Sequence, residues 1–474
     1  MRYRRVVTAA LSALIAGCAV GPNYRRPAVD VGTVYKEASG WKPSEPADAL
    51  HRGPWWTIFN DPLLDALQRR VDVSNETIQS AGAAVRQARA LVGEAEAGFW
   101  PTLAADIGRQ RTTSLAGSRT GNSAGVAGSW NLDLWGQVRR SAESSRASAE
   151  ASRAALAGAR LSVHAELAVD YFALRAQDQQ QILLNDAVAA ERASLAIVRS
   201  RYRFGVAAKA DVVSAQTQLL ANQAQQVNAG IQRALLEHAI AVLLGEPPSE
   251  FSLSAASMPT DVPTLPAGLP SALLERRPDV AAAERRMAAA NAQIGVARAA
   301  FFPALTLSAS DDYAGGAFSQ LIRASNQVWA FGPAITQALF AGGLHRAQAA
   351  AARAAYQASV DDYRQTVLSA LQQVEDELAT LRILEKQAVI EEATVKAAQE
   401  AMKLTLSQYQ AGTVPYSSVI AAQTTLLGAR ETALSVSLNR LTASVTMIEA
   451  LGGGWDAAHL NQRGEPSASR AIAR

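Results

Sequence analysis

The 474-residue chain holds one cysteine, five histidines and only 6% aromatic residues. A lone cysteine cannot form an internal disulfide, so the fold is not a cross-linked secreted scaffold. His51, His164, His238, His345 and His459 never approach metal-ligand spacing, and no phosphate-cradling glycine loop precedes a helix. No cofactor or metal is expected. Net charge is lacking too. Once Arg2, Arg4 and Arg5 are set aside as part of an N-terminal leader, 42 basic residues face 42 acidic ones. With no basic patch interleaved with aromatics, nucleic acid is excluded as a partner. Abundant Ala, Gln, Arg and Leu beside few aromatics favour long helices over a thick core.

The N-terminal leader is legible from its composition. Three arginines precede an apolar run from Val6 to Ala16, too short to span a bilayer, which ends in Ile15-Ala16-Gly17-Cys18. This reads as a signal peptide over 1–17 closing on a lipobox, with Cys18 as the lipidated first residue of the mature chain. Ala19 follows where lipoproteins kept at the inner membrane usually carry aspartate, which directs this one to outer-membrane lipid.

The remainder is one design written twice. Phe99-Trp100-Pro101 matches Phe301-Phe302-Pro303, Ala215-Gln216-Thr217 matches Ala422-Gln423-Thr424, and Gly205 matches Gly412. The organisation is a segment over 18–60, a first repeat over 61–245, a proline-rich linker over 246–270, a second repeat over 271–453 and a polar tail over 454–474.

Within each repeat the hydrophobic period changes from two to seven. Leu103, Ala105 and Ile107 alternate with polar or small neighbours, as do Val126, Trp130, Leu132 and Leu134. Leu305, Leu307 and Ala309 form a third set, and Trp329, Phe331, Ile335 and Leu339 a fourth in which Pro333 predicts a bend or bulge. Long helices follow, near Gln137 to Tyr202 and Leu344 to Tyr409, with seams at Leu167, Leu174, Val188, Leu195 and Tyr202 and at Val367, Val374, Leu381, Val395 and Met402. Returning helices repeat the heptad through Val213, Leu220, Val227, Ala234 and Ala241 and through Ile420, Leu427, Leu434, Leu441 and Ile448. Gly205 and Gly412 end the long helices, and Pro415 opens a returning one.

Four strands cannot close a barrel in lipid, so several chains must share one. Eight strands would fill with side chains, whereas a homotrimer gives twelve and a lumen. The fold expected is mostly α with a membrane β-barrel. Long coiled helical hairpins form a periplasmic α-barrel, and four β-strands per chain join a 12-stranded trimeric barrel, all from an internal tandem duplication. Trp100, Trp130, Trp135, Trp329 and Phe340 are placed as interfacial aromatics.

Several stretches carry a family resemblance: Cys18-Ala19-Val20-Gly21-Pro22-Asn23-Tyr24-Arg25-Arg26-Pro27, Trp55-Trp56, Phe59-Asn60-Asp61-Pro62-Leu63, Glu275-Arg276-Arg277-Pro278-Asp279-Val280 and Phe301-Phe302-Pro303. Together they resemble the TolC-like outer membrane factors, in particular the NodT-like lipoprotein branch. The resemblance implies a passive exit duct docked to a periplasmic adaptor protein and an inner-membrane resistance-nodulation-division pump. It also implies that Arg203, Phe204, Gly205, Lys209, Ala210 and Asp211, with Gly412, form adaptor-docking tips, while the second hairpin near Ser417 helps close the resting duct. Many relatives carry an acid where this chain has Ala421, so bulk from Tyr409 and Tyr416 is expected to form the constriction instead. A type I protein secretion channel and a non-conducting lipoprotein tether are the alternative readings. Gly121-Asn122-Ser123-Ala124-Gly125 matches a hydrolase nucleophile pattern but is expected in a barrel loop, so no enzyme is read from it.

Overall fold

The computed structural model describes residues 19–29, 34–38, 54–114, 117–259, 261–263 and 276–453. The leader, Cys18, residues 264–270 of the linker and the 454–474 tail lie outside them. The main helices are α1 (Pro62–Ser74), α2 (Glu76–Ala97), α3 (Gln137–Arg203), α4 (Lys209–Leu243), α5 (Pro278–Ala299), α6 (Leu344–Ala411) and α7 (Tyr416–Ala450). The strands are β1 (Thr102–Ser114), β2 (Gly117–Leu132), β3 (Ala304–Gly315) and β4 (Gln327–Thr336). At 1.5 Å per residue, the 67 residues of α3 and 68 of α6 each run for about 100 Å.

Two compact units emerge. The first gathers Ala83–Ala154 and Ala281–Thr366 with the N-terminal stretch ending at Val29. The second gathers Asp30–Gly82, Ala155–Val280 and the chain from Val367 onward.

In the first unit the strands form one antiparallel sheet of order β1-β2-β3-β4, leaving β1 and β4 at its edges. Pairing of β3 with β4 is one-to-one from Ala304↔Thr336 through Leu307↔Pro333 to Tyr313↔Gln327. The bulge expected at Pro333 is therefore absent. An edge strand tolerates a proline because it can spare the one donor that proline lacks. Leu339, expected in this strand, lies beyond its end.

The N-terminal motif is pinned to the same unit. Val20 N donates to Trp135 O at 3.0 Å, Arg140 Nη2 reaches Asn23 Oδ1 at 2.8 Å, and Asn291 Nδ2 reaches Pro22 O at 3.1 Å. Tyr24 Oη bonds the Glu284 carboxylate, and burial is the main reason its phenol is pushed up.

The second unit is built around the start of α1. Asp61 caps that helix, accepting from Leu63 N at 2.9 Å and Leu64 N at 3.1 Å, with Pro62 at the first helical position where it removes no needed donor. Trp55, Trp56 and Phe59 are buried beside it. Phe59 packs on Phe172 at 4.9 Å between ring centroids, and Trp56 stacks on His164 at 4.5 Å. His164 in turn meets Gln68 Oε1 at 2.5 Å and Asp72 Oδ1 at 3.2 Å, so this histidine is a core residue. The heptad positions Leu167, Leu174, Val188, Leu195, Val367 and Val374 are buried as the pattern requires.

Ionic groups hold the linker down. Asp178 accepts from Arg175 Nη1 at 2.6 Å and Arg233 Nε at 2.8 Å, while Arg175 also donates to Ser254 O at 2.8 Å and Glu237 accepts from Leu253 N at 2.6 Å. Glu375, in the acidic stretch Glu375-Asp376-Glu377 of α6, accepts from the backbone N–H groups of Lys36 and Glu37 at 2.6 and 2.9 Å.

Asn75 serves two helices at once. Its Oδ1 accepts from Ile78 N at 3.0 Å to open α2, and its Nδ2 donates to Leu243 O, at the end of α4, at 2.7 Å. Asn75→Ala leaves both backbone groups unsatisfied and should cost about 2 kcal/mol. A lowered unfolding temperature of the purified protein in detergent checks this.

Candidate functional site

Register sorts the sheet into two unlike faces. Cross-strand partners Leu103↔Gly128, Ala105↔Val126 and Ile107↔Ala124 share one face, which continues through Trp130↔Leu307, Leu132↔Leu305, Ala309↔Phe331 and Leu305↔Ile335. That face is bare and, apart from Asp311 between Val126 and Trp329, apolar over the band: Leu103 is 77% exposed and Trp329 73%. The other face carries Thr102, Asp106, Ser123, Ser129, Thr306, Ser308, Ser310 and Asp312. An apolar outside and a wet inside is the pattern of a strand between lipid and a lumen. From Ile335 to Trp329 the apolar face runs about 20 Å along the strand. Beyond Ile107 the same face of β1 turns to Arg109 and Arg111, paired with Asn122 and Thr120, so β1 and β2 outrun the apolar band.

Aromatics mark the helix-side end of the sheet. Trp100 and Phe340 are exposed there. Trp130 and Trp135 are half-buried, their indole N–H groups donating to Phe99 O at 3.0 Å and Pro303 O at 2.7 Å. Gln337, which stands 207 positions after Trp130, donates to Phe301 O at 3.2 Å, so both repeats close their Phe-x-Pro turn in one way.

Ser123 is not in a loop. It sits within β2, paired with Gly108 and Ala314, well inside a β1–β2 ladder that continues to Ser114↔Gly117. Glycine- and serine-rich sequence hid the strand. Without a strand-to-helix elbow the hydrolase motif has no meaning here.

The hairpin ends belong to the second unit. Gly205 and Gly412 take left-handed φ values of 76° and 79°, which a side chain would strain. Val206 N then bonds Arg201 O at 2.9 Å and Thr413 N bonds Gln408 O at 3.0 Å, one terminating motif used twice. Arg203, Phe204, Lys209 and Ala210 are exposed. Asp211 lies in the first turn of α4 but makes no side-chain cap, so it acts there by charge alone. Ser417 is exposed near the start of α7.

Tyr409 and Tyr416 are placed otherwise than expected. They are 4% and 2% exposed within the single chain, packed edge to face at 5.2 Å among Val188, Leu195, Val198, Leu219 and Val419. Rings enclosed by their own chain present no bulk to an aperture, so the assignment of a constriction to them is withdrawn. They are the core that binds the two hairpins together. Burial, and then the neighbouring Glu191 charge, push the Tyr416 phenol up to about 12. Sequence reading missed Arg201, which donates to Tyr409 O at 3.1 Å and Gln410 O at 2.9 Å and lies 4.9 Å over the Tyr409 ring. Nothing in the sequence distinguishes it from Arg199 or Arg203.

The family model described as outer membrane efflux protein matches residues 67–246 and 269–453. The chain belongs to that family. The pyoverdine export outer membrane protein OpmQ of Pseudomonas aeruginosa is 34% identical over 429 residues, covering 86% of this chain and 89% of its own length. The toluene efflux pump outer membrane protein TtgF of Pseudomonas putida is 29% identical over 464 residues, covering 94% and 96%. The solved outer-membrane channel OprN superposes with a TM-score of 0.85 at 30% identity, over 92% of this chain and all of that one. As a member of the family the chain is the outer-membrane exit duct of an efflux system, extending into the periplasm and working with an adaptor and an inner-membrane pump. The family is one of channels.

The Tyr409 hydroxyl is buried without a partner. Removing it in Tyr409→Phe should leave stability unchanged or slightly raised, because an orphaned polar group is lost. Tyr409→Ala, which empties the ring's site beside Tyr416 and Arg201, should cost about 3 kcal/mol. Paired thermal melts of the two variants distinguish this core role from a pore-lining one, which would leave both melts unchanged.

Proposed function

We propose that three copies of this chain close their sheets into one twelve-stranded barrel that passively conducts small molecules. A periplasmic adaptor and a resistance-nodulation-division pump deliver them. The observation that carries this reading is the pair of open edges, β1 and β4, on a sheet whose outer face is apolar. Each unpaired backbone group in lipid costs several kcal/mol, so β4 of one copy must meet β1 of the next. Three copies leave room for a lumen, and the serine, threonine and aspartate face supplies its wet lining.

The helices support association as well. Val213, Leu220 and Val227, expected in the intrachain seam, are more than half exposed, and Ile231, Leu235 and Val242 continue their stripe. Buried Ala215, Leu219 and Ile240 form the intrachain side of α4 instead. A helix with a second apolar stripe at sevens and fours calls for another helix, here from a neighbouring copy.

Cys18 is the proposed lipid carrier. Ala19 lies so near Gly136, where β2 gives way to α3, that a Cβ added to that glycine would stand 2.8 Å from the alanine Cβ. A lipid on the preceding residue then leaves the chain beside the end of the sheet. The exposed hairpin end from Arg203 to Asp211 is the proposed adaptor tip, with Phe204 81% exposed as its apolar contact; Gly412 shapes the second tip. Cargo as unlike as pyoverdine and toluene in the relatives' names supports a duct that leaves selection to the pump.

Light scattering in detergent, with bound detergent subtracted, should return three chains, each of the 50.0 kDa of the full sequence less its leader. A monomer that inserts stably into bilayers overturns the shared barrel. Mass spectrometry of the mature N-terminus should find acylated Cys18 as its first residue, and cleavage elsewhere removes the anchor from this reading.

A further inference from the structure

A carboxyl group occupies a core position in the packing of the hairpin ends. Glu191 lies on α3 between the buried seam residues Val188 and Leu195 and is itself 3% exposed. Its Oε1 accepts from Asn222 Nδ2 at 2.5 Å, and Gln218 lies close enough to the carboxyl to favour its charged form. Its Oε2 has no partner, and among the described residues no cation pairs with it. Beside it α3, α4, α6 and α7 line a partly open cavity of about 90 Å³, room for about three waters. Met402 and Leu427 supply apolar wall, and Gln423 faces the same space. The Gln423 amide N donates to Ser194 Oγ at 3.1 Å, which leaves its Oε1 without a donor. Two orphaned acceptors thus share one small cavity, and Arg430, the cation on its wall, bonds to neither.

An ionised carboxylate held there unpaired costs several kcal/mol. A single proton removes both deficits. Carried on Oε2, it turns an orphaned acceptor into a donor, and Gln423 Oε1 receives it directly or through a water in the cavity. We propose that Glu191 is a proton-binding site that locks the two hairpins together, so that mild acid holds the hairpin ends packed and rising pH releases them. For its consequence on conduction this rests on the duct reading; the lock itself does not.

The charged and titratable groups facing the site are few. Asp186 on α3 and Arg430 on α7 line the cavity, and Tyr416 packs from α7; α4 and α6 bring the neutral Asn222, Gln218 and Met402 to it, with Asp211 of α4 and Tyr409 of α6 acting on Tyr416. Burial is the largest influence on Glu191 and raises its pKa above the ordinary 4.5, against the two side-chain donors that lower it. The packed state therefore binds a proton that the loosened state releases. Its stabilisation is complete below the ordinary value and is lost as pH rises through the raised one.

Hydrogen exchange of residues 186–198 and 416–423, normalised for the intrinsic pH dependence of exchange, tests the lock in the whole detergent-solubilised protein. The wild type should lose at least tenfold in protection between pH 5 and pH 8. Glu191→Gln, which keeps the size and stays neutral, should show the pH 5 protection at both. In planar bilayers the wild-type conductance should rise over the same interval while that of Glu191→Gln stays at its low-pH level. Equal pH profiles for wild type and Glu191→Gln overturn the proposal, as does an Asp186→Asn variant that alone abolishes the dependence. Loss of exchange dependence in Glu191→Gln with no conductance from any variant retains the lock and overturns the duct reading.

Discussion

Backbone groups of a strand in lipid have no water to fall back on, and this constraint governs the rest of the molecule. The chain makes four strands and uses all the pairing they offer one another, in an unbroken register from β1 through β4. What remains is two edges, β1 and β4, that no described strand of the chain pairs with. The duplication answers half of the problem, since one hairpin of one repeat is paired with that of the other through β2 and β3. Association must answer the rest. The composition follows: side chains on one face need only be apolar over a lipid thickness, and those on the other only small and wet.

Much of this was legible in the sequence because the signals were periodic. Alternation in Leu103, Ala105 and Ile107 fixed a strand face, and the sevenfold spacing of Leu167, Leu174, Val188 and Leu195 fixed a buried seam. Gly205 and Gly412 were legible because only a left-handed residue ends such a helix cleanly. Three things were not legible, each for a physical reason. The strand through Ser123 is rich in glycine and serine, which have little strand preference, and pairing on both sides decides its structure. The Val213, Leu220 and Val227 stripe repeats as a seam does, but a helix with two apolar stripes does not announce which one its own chain covers. Tyr409 and Tyr416 stand near a turn, where exposure is the usual expectation, yet the two hairpins converge on them.

The same polar chemistry serves opposite ends in different parts of the second unit. At the linker, Asp178 gathers two arginines and the Ala256 backbone N–H, and Arg175 reaches a linker carbonyl. Each of these groups ties one segment to another, so moving any of them breaks several charge-assisted bonds together. His164 and Asn75 likewise bond to two partners apiece. Such cross-links resist displacement because no partial rearrangement keeps them satisfied.

As at the linker, in Arg175 Nε and Nη2, orphaned groups occur at the hairpin ends. Glu191 Oε2, Arg201 Nε, Tyr409 Oη and Gln423 Oε1 are all buried there without partners. An unsatisfied buried group costs free energy in the packed state that it recovers on reaching water, so each one lowers the cost of parting the hairpins. The apolar contacts of Tyr409, Tyr416, Val198 and Val419 hold them together against that. A duct must be rigid where it crosses lipid and free to change where cargo enters. In this chain the backbone ladder of the sheet allows no half-open state, whereas the hairpin ends are packed by side chains whose polar atoms are better satisfied apart. At the hairpin ends each unpaired atom lowers the cost of local opening, which the apolar contacts around Tyr409 and Tyr416 oppose.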